Sequence, residues 1–383
     1  MNKLFLAIAI LFLSFAKGAP AQTLVIVGVN GDLSRGKLLP AIEQLEKRGE
    51  LPENFQLIGM GRKEQFQHQA LSQYIPIAQI DRLKEIKGDI VYYLATPADT
   101  FAPTIDLLSE KGLIADHTRI VIEKPFGTDT ASAETLQSEI THHLKEKQIY
   151  RIDHYLGKEV VQQIIPFRQS HPEIEKLLNR EEVEKVTLTI SEDIGIGSRG
   201  PFWEKTGMLR DVVQNHIMQV MTLIGMEMPA SPAEKVRFLN AVRIEEMQKG
   251  QYIGYREEKG VDPNSHVETY VAAKLFVDNE RWKGVPFHIE AGKKLKSRFA
   301  EVTITFKTQD PLIFRIQPNP QISWGEQHFL PEQTSTPEAY ERLLLDALHG
   351  DPSHFVSQEE LMASWNLWTP LLPYWDELTP QEY

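Results

Sequence analysis

Residues 23–49, TLVIVGVNGDLSRGKLLPAIEQLEKRG, limit the fold of this chain more than any other stretch. Thr23–Val27 is an apolar, β-branched run ending at Gly28, the form of a strand buried on both faces of a parallel sheet. Gly28 and Gly31 make a turn, and Leu33, Leu38, Leu39, Ile42 and Leu45 then recur at helical spacing until Gly49 stops the helix. A second strand follows at 55–63. Strand, glycine turn, helix, strand is the opening of a doubly wound sheet, and such a turn aims backbone N–H groups and a helix N-terminus at a pyrophosphate. The spacing is GxxGDL rather than GxGxxG, so on its own it also fits a tight turn without a ligand.

The end of the second strand adds a specific signal. An acidic residue there would hold the adenosine ribose of NAD; this chain has Arg62 and Lys63, and Arg at that place accommodates the 2′-phosphate of NADP. Glu64 follows, so discrimination against NAD is expected to be incomplete. Two further strands, 89–97 and 119–127, with a helix between them, complete the first unit. From Glu184 the pattern changes to period-two alternation at 185–193, 267–278, 286–293, 301–308 and 312–318, which predicts a largely antiparallel sheet with one buried face. A long helix at 208–227 and a last one at 337–349 accompany it. The expected organisation is a doubly wound domain over 22–165 and an α+β domain with a large, mostly antiparallel sheet over 166–383.

A chain of 383 residues has room for two such cores. Its net charge of −12 argues against nucleic acid as a partner, and the absence of cysteine excludes disulfides, thiolate metal sites and a Cys nucleophile. No group of His, Asp and Glu has metal-ligand spacing along the sequence, so no metal is expected. At the N-terminus, Lys3, the apolar run Leu4–Ala16 and the small residues Ala19-Pro20-Ala21 have the three parts of a signal peptide over 1–21. That run is too short to span a bilayer, so no membrane association is expected after cleavage, and export to a periplasm or secretory lumen is.

Residues 150–159, YRIDHYLGKE, are polar enough for a surface loop or for an anion grip. Taken alone, His154 reads as a surface histidine, Lys158–Glu159 as a solvated pair, and His216 as a solvated residue on the polar stripe of its helix. The decapeptide nevertheless resembles the signature of the glucose-6-phosphate dehydrogenase family. GVNGDLSRGKLLP, IVIEKPFG, RGPFWEKTGMLRDVVQNHIMQVMTLIGMEMPAS, DNERWKGVPFHIEAGKKL and YERLLLDALHGDPSHFV follow in that family's order, so the likeness runs from about Leu24 to about Leu372.

The resemblance implies a Rossmann-like domain followed by an α+β domain. It also implies oxidation of glucose 6-phosphate to the lactone with transfer of hydride to NADP, the entry to the oxidative pentose phosphate pathway. His216 would be the base and Asp153 its carboxylate partner. Asp211, five residues before His216, would lie about 140° away from it on an α-helix, so an acid from elsewhere in the chain suits that role. His154, Tyr155 and Lys158 would hold the 6-phosphate, His154 and Lys158 sharing one helical face if 153–161 is a helix, and Gly157 would let the sugar approach closely. Glu192, Asp211, Lys293 and Arg298 match positions that hold sugar hydroxyls and phosphate. Lys124, before a proline whose peptide bond is often cis in the family, would lie between sugar and coenzyme. Gly28, Asn30, Gly31, Asp32, Leu33, Lys37, Arg62 and Lys124 would contact the coenzyme.

The family also implies a homodimer through the second-domain sheet and a cytoplasmic setting, against the leader. The sequence departs from the family at 167–181, and because it reaches only Tyr383 the second, structural NADP site of some members is not expected. Two other readings stay open: a Rossmann sugar oxidoreductase acting on an unphosphorylated sugar, and a non-catalytic, truncated paralogue that binds nucleotide or sugar phosphate.

Overall fold

The computed structural model describes residues 23–330 and 338–383, so the leader expected at 1–21 lies outside the described residues. The first sheet has six parallel strands: β1 (Thr23–Val27), β2 (Gln56–Gly61), β3 (Gln73–Pro76), β4 (Ile90–Leu94), β5 (Arg119–Ile122) and β6 (Ile149–Arg151), in the order β3-β2-β1-β4-β5-β6. Chain order reverses between β1 and β4, and the crevice beyond the strand ends opens there. Every residue of β1 and β4 is buried, which is why both read as unbroken apolar runs. β3 and β6 were not expected. They are four and three residues long, too short to show a period.

One face of this sheet packs against Leu39, Ile42 and Leu45 of helix Leu39–Arg48 and against Leu343, Leu344 and Ala347 of helix Ala339–His349. The second helix comes from the far end of the chain and is tied down by Arg119, which donates to the carbonyls of Ala347 and Leu348 at 2.7 Å each. The first helix differs from the expected one in its opening turn. Ser34–Leu38 is π-helical before the α-helix begins at Leu39, and the Ser34 hydroxyl donates to the Gly28 carbonyl at 3.1 Å. Gly28 itself has φ +88°, and a Cβ there would collide with the carbonyl of Ala95, so the turn requires glycine.

The second sheet has nine strands: β7 (Val183–Ser191), β8 (Val242–Gln251), β9 (Tyr270–Val277), β10 (Phe287–Gly292), β11 (Phe299–Phe306), β12 (Leu312–Gln317), β13 (Gln321–Trp324), β14 (Gln327–His328) and β15 (Gln381–Glu382). Their order is β14-β13-β12-β11-β7-β10-β9-β8-β15. Pairing is antiparallel except for β7 with β10 and β8 with β15. Val186, Leu188 and Ile190 of β7 alternate inward with Val302 and Ile304 of β11. They share one core with the long helical segment Gly200–Met208, Leu209–Ile217 and Met218–Gly225. Burying a side chain of that size contributes about 1.5–3 kcal/mol, so the alternation fixes both register and facing. β8 escaped notice because its ladder shifts register between Ile244 and Glu246, which sets the charged Glu245 and Glu246 side by side and breaks the alternation.

The signature decapeptide is not a helix from 153. Asp153 Oδ1 accepts from the Tyr155 N–H at 2.9 Å, and successive turn bonds run Leu156 to Asp153, Gly157 to His154 and Lys158 to Tyr155. The helix starts only at Glu159 and runs to Ser170, with Lys158 extended in front of it.

Candidate active site

Three segments meet at the mouth of the first sheet. β5 runs out into Glu123 and Lys124, whose peptide bond to Pro125 is cis. β6 runs out into Asp153, and the middle of the long helical segment supplies Asp211 and His216. His216 Nδ1 lies 2.5 Å from Asp153 Oδ1 and Nε2 lies 2.8 Å from Lys124 Nζ. Lys124 Nζ also donates to the Asp211 carbonyl at 2.6 Å and to Asp211 Oδ1 at 2.9 Å, and Arg199 Nη2 is 3.3 Å from Asp211 Oδ2. The ring of Tyr155 stacks on His216 with centroids 4.6 Å apart, and His154 meets it edge-on at 4.4 Å.

Asp211 and His216 therefore converge on one ammonium, where α-helical geometry would set them well apart. Leu209–Ile217 is π-helical, and the i→i+5 bonding of a π-helix brings residues five apart to the same side. The carboxylate that pairs with the imidazole is nonetheless Asp153, the partner the family resemblance implied, although the α-helical spacing that favoured an acid from elsewhere does not hold.

The hydrogen bonds fix the protonation states. An ammonium can only donate, so Nε2 of His216 is the acceptor, and Nδ1–H donates to Asp153. Burial and the Lys124 charge hold His216 well below the usual histidine range, so it is neutral near pH 7 with its basic nitrogen against the Lys124 ammonium. Burial also lowers His154 strongly and raises Asp153. For Asp211 burial works upward, but the Lys124 ammonium prevails and brings it to about 2. Asp153 Oδ2 is buried and has no hydrogen-bond partner among the described residues, so one face of that carboxylate is unsatisfied there.

Beside this core lies a cationic cluster. Burial first, then the like charges of Lys37, Arg298 and Arg342, push the Lys158 ammonium down, while Glu338 opposes them. Lys37, which the sequence assigns to the coenzyme, thus lies in the field of the sugar-phosphate cluster. Glu192 is ion-paired with Lys293, and Lys293 Nζ sits 4.8 Å from the centre of the Trp203 ring. Gly157 does not face the cleft: a Cβ there would strike the carbonyl of Ala339, so its smallness serves packing under helix Ala339–His349. Arg151 is also structural, buried on Glu146 and Gln137. Asp153, His154 and His216 offer ligand atoms within 4.8 Å of one another, a metal-like grouping that the linear spacing hides. Asp153 and His216 spend those atoms on each other, and Lys124 adds positive charge at the same place.

The crevice has a cavity of about 680 Å³ lined by Gly31, Asp32, Leu33 and Thr96 on one side and Asp153, His154 and Asp211 on the other, with Lys124 between. A nicotinamide dinucleotide fits the donors present. Gly31, Asp32 and Leu33 of the turn line the cavity and can present their backbone to a pyrophosphate. Asn30 leans over Gly61, next to Arg62 at the end of β2. Arg62 is exposed and engages no acceptor among the described residues.

Two features were missed in the sequence. Glu123 accepts from the hydroxyls of Tyr93 and Tyr340, and its carboxyl is pushed up to about 7 by burial. Arg199 reaches Asp211 from the short 3-10 turn Gly197–Arg199 and lies over Phe202, with 4.7 Å between Cζ and the ring centre. The partners of Glu123 are remote in sequence, and only the EKP tripeptide itself could have drawn attention to it.

Residues 25–79 and 64–163 match the glucose-6-phosphate dehydrogenase NAD-binding domain, and residues 165–329 and 321–383 match the C-terminal domain of the same family. The glucose-6-phosphate 1-dehydrogenase of Chlamydia muridarum is 38% identical, with 94% of this chain and 92% of that protein covered. The crystal structure of glucose-6-phosphate 1-dehydrogenase from Mycobacterium avium superposes with a TM-score of 0.85 at 30% identity, covering 96% of this chain and 94% of that one. A glucose-6-phosphate dehydrogenase in complex with its substrate glucose 6-phosphate gives the same TM-score, 0.85, at 30% identity over 96% and 95% of the two chains.

Proposed function

The chain belongs to the glucose-6-phosphate dehydrogenase family, and from that premise we propose that it oxidises D-glucose 6-phosphate to 6-phospho-D-glucono-1,5-lactone with NADP as acceptor. The observation that carries the reading is the buried Asp153–His216 pair, whose unprotonated nitrogen accepts from Lys124 beside the crevice at the sheet's reversal point.

When bound, the coenzyme supplies the nicotinamide C4 that takes the hydride from the sugar C1. The protein's part is to remove the proton from the C1 hydroxyl. His216 Nε2 accepts it as the C1–H bond breaks and the C1–O bond becomes a carbonyl. Asp153 keeps the proton of the resting imidazole on Nδ1 and stabilises the imidazolium that forms, a division of labour worth about 10²–10⁴ in rate. For the hydroxyl to reach Nε2, Lys124 must yield its present hydrogen bond. Its two bonds to Asp211 keep it close by, where it can hold the sugar oxygen instead. His154, Tyr155 and Lys158, with Lys37 and Arg298 nearby, suit the 6-phosphate. This cluster favours a phosphorylated sugar over the plain-sugar reading. Glu192, Lys293 and Asp211 suit the hydroxyls.

Arg62 supports NADP over NAD, since an unpaired guanidinium at the end of β2 can take the 2′-phosphate. The outward face of the second sheet, with Ala272, Lys274 and Phe276 of β9 and His288 and Glu290 of β10 only half buried, supports pairing of two copies; sedimentation giving a monomer at micromolar concentration would overturn that. The central test is NADPH formation from glucose 6-phosphate and NADP, with glucose as control. No turnover by a folded sample that binds NADP would leave the non-catalytic reading.

A further inference from the structure

The sugar half of the cleft is held from behind by residues that the chemistry above does not use. β15 lies parallel to β8, with Gln381 opposite Gly250 and Glu382 opposite Gln251. The next residue, Tyr383, donates its backbone N–H to Gln251 at 3.2 Å and accepts from Ile253 at 3.1 Å, and its ring leans on Tyr270. The hydroxyl points inward. It lies 2.7 Å from the Lys293 carbonyl, 3.0 Å from Thr269 Oγ1 and 3.2 Å from the Thr269 carbonyl. Thr269 is completely buried, and its hydroxyl oxygen accepts the Tyr252 N–H at 2.9 Å.

Those contacts order the donors. With its oxygen engaged by Tyr252, Thr269 has its own hydroxyl proton to give to Tyr383 Oη, and Tyr383 gives its proton to the nearer carbonyl, that of Lys293. One chain of hydrogen bonds thus runs from Tyr252 N–H through two hydroxyls to the backbone of Lys293. Lys293 needs such support. β10 ends at Gly292, and Lys294 turns away at φ +50°, a left-handed conformation that a side chain disfavours. Behind the turn, the Lys293 N–H donates to the Thr269 carbonyl at 3.0 Å. In front of it, the ammonium pairs with Glu192 over the Trp203 ring.

We propose that Tyr383 is a positioning residue for sugar binding: its hydroxyl fixes the backbone of Lys293 and so places the Lys293–Glu192 pair at the substrate. The proposal rests on the reading of Lys293 as a sugar ligand. It makes the β15–β8 edge part of the substrate site, although Tyr383 touches neither the cleft cavity nor the coenzyme turn.

The test is a double-mutant cycle on the whole chain. Tyr383→Phe keeps the ring and removes only the hydroxyl. It is expected to raise KM for glucose 6-phosphate about threefold to tenfold, the size of one hydrogen bond, with kcat, KM for NADP and Tm close to those of the parent. Lys293→Met is expected to raise the same KM more, and Tyr383→Phe is expected to add little in that background. A raised KM in Lys293→Met beside an unchanged KM in Tyr383→Phe would overturn the Tyr383 link alone. So would full additivity of the two changes, or a fall of kcat and Tm together with a rise of both KM values. An unchanged KM in Lys293→Met would overturn the role of Lys293 and the proposal with it.

Discussion

At the coenzyme end of the cleft, Arg62 stands in solvent with no acceptor engaged among the described residues. At the catalytic end, Asp153, His216, Lys124, Asp211 and Arg199 are already joined in one continuous set of contacts. An open cation can take an incoming phosphate by giving up only its water, so the coenzyme end can be altered one residue at a time. The catalytic end is pre-organised and must exchange partners when substrate arrives. Removing one member leaves buried groups unpaired, so its defects should be larger and less additive.

The largest effect should come from the base. His216→Asn is expected to lower kcat about 10³–10⁴-fold while NADP still binds, the upper part of the range for a lost general base. A loss under tenfold in single-turnover kinetics would show that the two ends are more alike than their contacts suggest. Next is the phosphate cluster. His154→Ala with Lys158→Ala should raise KM for glucose 6-phosphate about 100-fold or more, since each hydrogen bond to the charged phosphate contributes about 1.5–3 kcal/mol, and should leave any weak turnover of glucose alone. Equal losses on both sugars would remove the phosphate assignment. At the open end, Arg62→Ala should raise KM for NADP about 10-fold to 100-fold and that for NAD much less. Similar effects on the two coenzymes would mean that the exposed guanidinium does not read the 2′-phosphate.

The smallest effect concerns stability. Glu123 is pushed up to about 7 in the folded chain from an ordinary 4.5, so the folded state keeps a proton that the unfolded state loses first. Stability is therefore drained as pH rises from 4.5 through 7. Relative to Glu123→Gln, which does not titrate, the parent should lose on the order of 1–2 kcal/mol between pH 5 and pH 8, allowing for its partial exposure. A stability difference that stays constant across that range would show that the carboxylate is already ionised at pH 5.

The same contrast governs what could be read from residues alone. The coenzyme end is local: Gly28, Gly31 and the Arg62 strand end lie within one strand–turn–helix–strand unit, and their spacing carries the geometry. The catalytic end draws on Lys124, Asp153 and His216, which no periodicity links, and those assignments came from the family likeness. Expectations failed where a regular period was assumed and the backbone departs from it. The turn at 153–158 replaces a helix, the bulge at Glu245–Glu246 hides β8, and the π-helical stretch at Leu209–Ile217 reverses the relation of Asp211 to His216. Glu123 was passed over because Tyr93 and Tyr340 reach it only through the tertiary fold.

The π-helical stretch has a consequence that no substitution would reveal. Its turns are wider than α-helical ones, and at a separation of five residues Asp211 and His216 meet on Lys124 because of that pitch. Deleting one residue between them, say Val213, would let the helix relax to ordinary pitch. Every catalytic side chain would still be present, and because residues four apart share one face of an α-helix, the carboxylate and the imidazole would still point to the same side. Length and pitch are matched at this point: the wider turns absorb one surplus residue, and an ordinary α-helix of the same length would set the two groups about 140° apart.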